Sequence, residues 1–231
     1  MQYFMLNKPP GCICARRDFA GRPTVYEHVP PHLPCLPHVG RLDFNSEGLL
    51  VFTDDGRLAQ AMINQAYAGS ADPESVAAIE KVYHVKVRAL LEAADARLTE
   101  MQAPLEIVER GLWTRPACVR VLDYRSRATW IEVVIDEGRH RQVCRLCARS
   151  GLQIQKLRRV RFGPLELGEL KPRWCRPLSL AEVEACYRAA LPCDPVPPFA
   201  PIDDSPDAYE RAVAALAAVP PPPDRSVPTG A

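Results

Sequence analysis

One carboxylate in the sequence, Asp43, stands at a position that could do chemistry. It follows Gly40-Arg41-Leu42 and precedes a turn and the apolar residues 49–53, which predict a strand. Loops held between rigid elements are where proteins place side chains that act on ligands. A carboxylate in such a loop can serve as a nucleophile or as a general base. From spacing alone, the alternative that Asp43 caps a turn or pairs with Arg41 stays open.

The residues around Asp43 predict the elements that hold its loop. Gly40 and Gly48 give the backbone freedom at both ends, because glycine alone enters positive φ without a steric cost. The turn sequence Asp54-Asp55-Gly56 follows the strand, and residues 57–64 have the spacing of a helix. The segment is therefore predicted to run from loop to strand, turn and helix.

A second residue with possible chemistry, Tyr83, lies in a predicted strand. Residues 81–88 alternate Tyr83, Val85 and Val87 with polar side chains, which is the period of a half-buried strand. Tyr83 therefore shares the apolar face with the valines. On this pattern alone, Tyr83 is a core residue.

A strongly basic stretch covers residues 138–176. It contains eleven lysines and arginines against two glutamates, whereas the whole chain has a formal net charge of only +1. The acidic residues 192–231 mask this excess, since residues 1–191 carry 27 basic and 22 acidic groups. Such a run is often a solvated face, but an excess of this size within a folded segment favours a polyanion such as nucleic acid.

Part of this stretch predicts a helix over residues 140–150. Arg141, Arg145 and Arg149 recur every four residues and would form a basic ridge, while Val143, Leu146 and Cys147 would face inward. Gly151 would end the helix as a C-terminal cap.

Composition bounds the class of protein. With 231 residues, 47% of them apolar and 25% charged, the chain can bury one core or two joined lobes. No apolar run reaches 18 residues and no signal peptide is evident, so we expect a cytoplasmic protein without a membrane segment. The nine cysteines are expected to be reduced thiols, and we expect neither a metal site nor a cofactor.

The remaining pattern predicts an α+β fold, with Trp113 and Trp130 in the core or on a sheet face and Leu180, Val183 and Tyr187 buried on the last helix. The proline-rich residues 192–231 are predicted to form a disordered tail. The other predicted strands cover residues 2–6, 105–109, 117–124, 129–136, 152–157, 160–162 and 165–167, and the other predicted helices cover residues 25–28, 93–101 and 180–190.

Four motifs, taken together and in this order, resemble the RsuA-like family of ribosomal RNA pseudouridine synthases. The resemblance is closest to the large-subunit, RluE-like branch, which lacks an N-terminal RNA-binding domain. The motifs are YFMLNKPPG at residues 3–11, AGRPT at 20–24, GRLD with the following SEGLL run at 40–50, and EGRHRQVCRL at 137–146.

The resemblance implies a catalytic aspartate at Asp43 and a tyrosine, Tyr83, that packs against the target base. The family also places an arginine or lysine against the aspartate, which keeps the carboxylate ionised and oriented. This chain departs from that pattern, because Cys144 occupies the usual basic position. We therefore expect Arg145, with Arg141 as the alternative, to reach the aspartate. A site without its counter-ion, working poorly, is the other possibility.

The resemblance further implies the pseudouridine synthase fold, a largely antiparallel mixed sheet in two lobes with flanking helices and a central cleft. Residues 1–191 would form this catalytic domain. The expected activity is isomerisation of a specific uridine in structured RNA, with large-subunit ribosomal RNA, or else transfer RNA, as the partner of a monomeric enzyme. The alternative is a non-catalytic RNA-binding or ribosome-assembly factor. The expected RNA-binding residues are Lys8, Arg41, Lys81, Arg139, Arg141, Gln142, Arg149, Arg158 and Arg159.

Overall fold

The protein is an α+β fold in the computed structural model, which describes residues 1–63, 78–107, 112–125, 127–203, 205, 207 and 208. The strands are β1 Tyr3–Lys8, β2 His38–Val39, β3 Glu47–Thr53, β4 Lys81–Val87, β5 Glu106–Ile107, β6 Leu112–Trp113, β7 Cys118–Arg125, β8 Ala128–Ile135, β9 Ile154–Phe162, β10 Leu165–Glu166 and β11 Cys175–Pro177. The helices are α1 Gly56–Ile63, α2 Ala96–Gln102, α3 Gln142–Arg149 and α4 Leu180–Ala190, with a 3-10 turn at Val25–His28.

One mixed sheet organises the molecule. Its main path runs β11-β1-β3-β9-β4-β8-β7, with β2 added on β3 and β10 added on β9, and β5 and β6 form a separate hairpin. Among the described strands, every pairing is antiparallel except that of β3 with β9, which is parallel. That parallel contact joins the first half of the sheet to the second, and it is short: Glu47 pairs with Arg158 and Gly48 with Arg159.

Each half of the sheet has its own hydrophobic packing, which produces the two predicted lobes. In the first half, α1 and α4 cover one face through residues such as Met62 and Val183, and Val25, Leu33 and Leu36 cover the other. In the second half, α2 and α3 cover one face of β4, β7 and β8, with Leu98 and Leu146 fully packed. The cleft lies where the two halves meet.

Most predicted elements are confirmed, within one to a few residues at their ends. Residues 152–157 and 160–162 were predicted as separate segments, but they belong to the single strand β9, because both β3 and β4 pair along it. The last part of the strand predicted at 105–109 and of the helix predicted at 57–64 lies outside the described residues.

One of two predictions about large apolar side chains is wrong. Trp113 was predicted in the core or on a sheet face, and it lies on the two-stranded β5-β6 sheet, where it is 62% exposed. Leu180 is 48% exposed at the first turn of α4, and the buried face of that helix is instead formed by Val183, Cys186, Tyr187 and Ala190. The capping box of Ser179 and Glu182 starts α4 where the sequence predicts it.

The predicted boundary at residue 191 is not where contacts with the body end. Phe199 stacks on Tyr3 with ring centroids 6.1 Å apart, and the amide of Ala200 donates to the carbonyl of Met1. Asp194 pairs with Arg57 at 2.7 Å. The first part of the predicted tail is therefore packed on the sheet, and residues 209–231 lie outside the described chain.

Candidate active site

The loop that carries Asp43 is anchored from below by Lys8. The Lys8 side chain is fully buried, and its Nζ donates to the carbonyls of Pro9, Asp43, Phe44 and Ser46 at 3.0, 3.2, 3.3 and 2.7 Å. Burial lowers the pKa of this amine. The prediction that Lys8 binds RNA is wrong, because its amine is buried and enclosed by carbonyls of Pro9 and of the Asp43 loop. Lys8 fixes the backbone at Asp43 and at the residues that follow it.

Asp43 faces two side chains at the start of α3. Arg141 Nε lies 3.8 Å from its Oδ2, and Cys144 Sγ lies 4.0 Å from the same oxygen. Burial, followed by the Asp43 charge, raises the pKa of Cys144, so this group is a neutral thiol at pH 7. The Asp43 and Arg141 side chains are 40% and 59% exposed, and such pairs contribute at most about 1 kcal/mol to stability. This ion pair therefore orients the carboxylate more than it stabilises the fold.

Arg141 reaches Asp43 from an uncommon backbone conformation. It is the N-cap of α3 and has φ 53°, in the left-handed region that few residues other than glycine adopt. The predicted helix over 140–150 therefore begins only at Gln142, and Arg141 stands outside the helix that carries Arg145 and Arg149. Conformations of this kind cluster at functional sites, where the surrounding structure holds them in place.

Three adjoining cavities meet at this pair. They have volumes of about 120, 850 and 760 Å³, and Asp43 and Arg141 line all three. Tyr83, half-buried on β4, lines the smallest cavity, together with the apolar side chains Ile135, Leu157 and Phe162. The lining of the smallest cavity thus combines apolar side chains, a phenol and a partly exposed carboxylate. This arrangement suits a flat polar ring.

Several of the predicted RNA-binding residues also line the smallest cavity. Arg41 and Arg139 are exposed there, whereas Lys81, Gln142 and Arg159 are buried. Burial lowers the pKa of Lys81 to about 8, so its amine loses its proton at lower pH than an exposed lysine would. Arg159 donates from Nε to the carbonyl of Leu49 at 2.9 Å, and its guanidinium lies 4.7 Å from the Phe162 ring centroid. Lys81 and Arg159 therefore stabilise the strands that line the cavity, through hydrogen bonds to the carbonyls of Ile79 and Leu49.

The other predicted basic residues lie away from the carboxylate. Arg149 donates to the carbonyls of Glu100, Ala103 and Pro104 at the end of α2, so it joins two helices. Arg158 lies 3.6 Å from Glu47. Arg145 is half-buried on α3 and is not among the residues that line the three cavities, whereas the alternative, Arg141, has its Nε 3.8 Å from Asp43 Oδ2.

Other residues of the site carried no signal in the sequence. Cys14 donates to the carbonyl of Leu42 and accepts from its amide, at 3.4 and 3.3 Å, which ties the loop after β1 to the Asp43 loop. Ile63 at the end of α1 and Phe162 at the end of β9 line the smallest cavity. These contacts depend on long-range packing, so no local pattern could have revealed them. None of the nine cysteines, all of which the structure describes, forms a disulfide.

The anchor below Asp43 can be tested with Lys8→Met, which keeps the length of the side chain and removes its donors. We expect the free energy of unfolding to fall by about 1.5–3 kcal/mol, because buried carbonyls lose a charged partner. The control is Lys156→Met, an exposed lysine 4.0 Å from Glu47, which should change stability by less than about 1 kcal/mol. Equal urea midpoints for the two variants would contradict the anchoring role.

Comparison with known proteins agrees with this geometry. Residues 2–149 match the family model described as RNA pseudouridylate synthase. An uncharacterized RNA pseudouridine synthase of Rickettsia bellii (strain RML369-C) is 34% identical over 172 residues, covering 74% of this chain and 68% of the relative. One from Aquifex aeolicus (strain VF5) is 31% identical over 190 residues, covering 81% and 70%.

A named relative and a solved structure give the same assignment. Ribosomal large subunit pseudouridine synthase B of Yersinia pestis is 34% identical over 170 residues, which cover 72% of this chain and 48% of the Yersinia protein. A crystal structure of a pseudouridylate synthase has a TM-score of 0.63 at 30% identity, covering 80% of this chain and 73% of the other.

The fold is that of the pseudouridylate synthases. The chain belongs to the RNA pseudouridylate synthase family, and it is an RNA pseudouridine synthase. The RsuA-like resemblance of the four sequence motifs is thereby confirmed. Within the described parts of the chain, no helix has the length and apolar character needed to cross a bilayer.

Proposed function

We propose that this enzyme converts a specific uridine of large-subunit ribosomal RNA to pseudouridine, with Asp43 as the catalytic carboxylate. The observation that carries the proposal is the position of Asp43 at the junction of three cavities, beside Arg141 and in the lining of the smallest cavity together with Tyr83. The similarity to ribosomal large subunit pseudouridine synthase B supports ribosomal RNA as the substrate. Residues 1–191 form the catalytic domain in this proposal.

The reaction needs one carboxylate and no redox partner. The N1–C1′ bond of the uridine breaks, the base turns, and a C5–C1′ bond forms. The C5 hydrogen leaves as a proton and N1 gains one, so the atoms and electrons balance. A carboxylate can start this sequence as a nucleophile or as a base, and Asp43 is the acid that the cleft presents.

The uridine must leave its stack to reach Asp43, which costs a few kcal/mol. The apolar side chains of the smallest cavity and the Tyr83 ring would recover part of that cost by enclosing the base. The exposed guanidiniums of Arg41 and Arg139, which also line the cleft, would contact the phosphates on either side. In this arrangement Arg141 is the positioning residue that orients the Asp43 carboxylate.

The proposed function is tested by mapping pseudouridines in ribosomal and transfer RNA from cells with and without the gene. We expect one or a few positions of large-subunit ribosomal RNA to lose pseudouridine in the deletion strain. A plasmid carrying the wild-type gene should restore them, and one carrying Asp43→Asn should not. An unchanged map, with a ribosome defect that Asp43→Asn still rescues, would show that the protein acts in RNA binding or ribosome assembly instead.

The role of Arg141 predicts a rescue by a second substitution. Arg141→Gln should lower kcat by about 10- to 100-fold, because the carboxylate loses the group that orients it. In a Cys144→Arg background, where an arginine enters at the family's usual position, the same substitution should cost much less. Single-turnover rates on an unmodified ribosomal RNA transcript, with RNA affinity measured separately, provide the comparison.

The matched control for Arg141→Gln, in the wild-type and the Cys144→Arg backgrounds, is Arg139→Gln. Arg139 lines the same cavity, but its Nε is 3.1 Å from Glu137 Oε2 and belongs to another ion pair. Its loss should weaken RNA binding and leave kcat nearly unchanged in either background. A Cys144→Arg single variant with far higher activity than the wild type would contradict the role of Arg141, since the natural site would then lack an effective counter-ion.

A further inference from the structure

Phe44, the residue after Asp43, is a large apolar side chain left 39% exposed at the rim of the cleft. It lines the two larger cavities, one on each side, together with Asp43 and Arg141. Single exposed aromatics are common on protein surfaces and need no explanation by themselves. The position of this one, between two cavities that share the reactive carboxylate, distinguishes it.

The backbone that carries Phe44 is held in place. Its carbonyl accepts from the amide of Gly11 at 2.8 Å and from Lys8 Nζ at 3.3 Å. The ring therefore projects from a fixed point on the Asp43 loop. An aromatic ring that has few rotatable bonds and a fixed backbone loses little conformational entropy when it binds a ligand.

The charges around Phe44 suit a polyanion that passes over the ring. Arg41, Arg139 and Arg141 line the cavity on one side, and Arg141 and Lys156 line the cavity on the other. Phosphates of a strand lying across the rim would meet cations before and after the ring. Aromatic rings in positively charged grooves are where proteins stack the bases of unpaired nucleotides.

Phe19 provides an internal comparison. It is also a phenylalanine and is fully exposed, but it lies in the loop between Asp18 and Arg22, which pair with each other at 2.8 Å. Phe19 does not line any of the three cavities. Exposure, a preceding aspartate and a nearby arginine are thus shared by both rings, whereas only Phe44 of the two lines the cavities that also contain Asp43 and Arg141.

We propose that Phe44 is a base-stacking residue, which holds the nucleobase next to the isomerised uridine after that uridine has left the stack. The inference rests on the proposed function, because extrusion of a uridine toward Asp43 removes the stacking partner of the neighbouring base. It identifies the substrate class as RNA in which the neighbour of the target is unpaired. A purine at that neighbouring position should be favoured, since its larger ring overlaps more of the phenyl face.

The first test compares four variants in tritium release from a large-subunit ribosomal RNA transcript labelled at uridine C5. Phe44→Ala and Phe44→Leu should both raise KM about tenfold or more, the loss expected for one stacked base, with a much smaller change in kcat. Phe44→Tyr should retain the wild-type KM, and Phe19→Ala should not differ from wild type. If Phe44→Leu restores the wild-type KM, the ring acts only through its bulk and the stacking role is overturned.

The second test gives a spectroscopic signal that does not depend on catalysis. In Phe44→Trp, binding of a short single-stranded oligoadenylate should quench tryptophan fluorescence beyond the change seen in wild type, and oligouridylate should quench it less. Phe19→Trp should show no added quenching with either probe. Equal behaviour of the two tryptophan variants would contradict stacking at Phe44.

The two tests separate this inference from the proposed function. If Asp43→Asn abolishes tritium release while Phe44→Ala keeps the wild-type KM, the stacking role fails and the role of Asp43 stands. If Asp43→Asn keeps its activity while Phe44→Trp is quenched by oligoadenylate, the catalytic assignment fails and stacking stands.

Discussion

Replacing Asp43 with asparagine should reduce pseudouridine formation by about 10²- to 10⁴-fold or more, because an amide can act neither as a nucleophile nor as a base. Asparagine has nearly the same shape as aspartate, so the cleft should keep its form. RNA affinity should persist or rise slightly, since a negative charge leaves a basic cleft. Release of tritium from uridine C5 measures the activity, and filter binding measures the affinity.

The control for this experiment is Asp54→Asn, a carboxylate of the same segment that lies outside the cleft. Asp54 is exposed, and its Oδ1 accepts from the amide of Gln2 at 2.7 Å, an interaction that the amide oxygen of asparagine can keep. Its activity and melting temperature should match those of the wild type. If the activity of Asp43→Asn stays within tenfold of wild type, Asp43 is not the catalytic carboxylate.

The position of Asp43 could be inferred from sequence because its signals are local. The glycines on both sides, the apolar strand and the acidic turn all lie within residues 40–56, and the observed loop, β3 and α1 follow that order. The alternation around Tyr83 predicted β4 for the same reason. Period-two and helical patterns report which face of an element is buried, and they predicted the elements, whereas the two-lobed arrangement was implied by the family resemblance.

The charged residues could not be assigned from sequence, because their roles depend on partners far away in the chain. Lys8 and Arg159 were predicted to contact RNA. Lys8 instead donates to the carbonyl of Asp43, 35 residues away, and Arg159 donates to the carbonyl of Leu49, 110 residues away. The basic stretch over residues 138–176 also contains arginines that pair with carboxylates, as Arg161 does with Glu80 and Arg176 with Glu182. Counting charges along a sequence does not show which of them are neutralised inside the fold.

The sequence also could not show whether Arg141 or Arg145 lies next to the Asp43 carboxylate. A regular helix from residue 140 would place both on one stripe, with Arg145 next to the cysteine that replaces the family's basic residue. The left-handed conformation of Arg141 breaks that helix at its start and turns the side chain toward Asp43. Backbone conformations of this kind are set by tertiary contacts and leave no pattern in the residue types nearby.

Replacing Gly48 with alanine should lower the free energy of unfolding by more than about 3 kcal/mol, and it should also disturb the cleft. Gly48 has φ +107°, which an L-residue rarely adopts, and an added Cβ would lie 2.2 Å from the carbonyl oxygen and 2.8 Å from the amide nitrogen of Arg159. Those atoms are backbone, so they can give way only if β3 and β9 separate. Chemical unfolding in urea measures the loss.

Two other glycines separate the possible causes. Gly151 has φ +65° but open space around its Cβ position, so Gly151→Ala should show conformational strain alone, about 1 kcal/mol. Gly56 has open space and no positive φ, so Gly56→Ala, at the start of α1, should be close to neutral. Similar losses for Gly48→Ala and Gly151→Ala would mean that the close approach of the two strands contributes little.

Gly48→Ala should also impair the reaction, because β3 and β9 form the contact that joins the two halves of the sheet. Asp43 precedes β3, whereas Tyr83 lies on β4 opposite Arg159, so the two walls of the smallest cavity belong to different halves. Separation of the strands at Gly48 would move the carboxylate relative to the phenol, and a displacement of about 1 Å can cost 10²-fold in rate. At a temperature where Gly48→Ala is still folded, we therefore expect a loss of kcat that Gly151→Ala does not share.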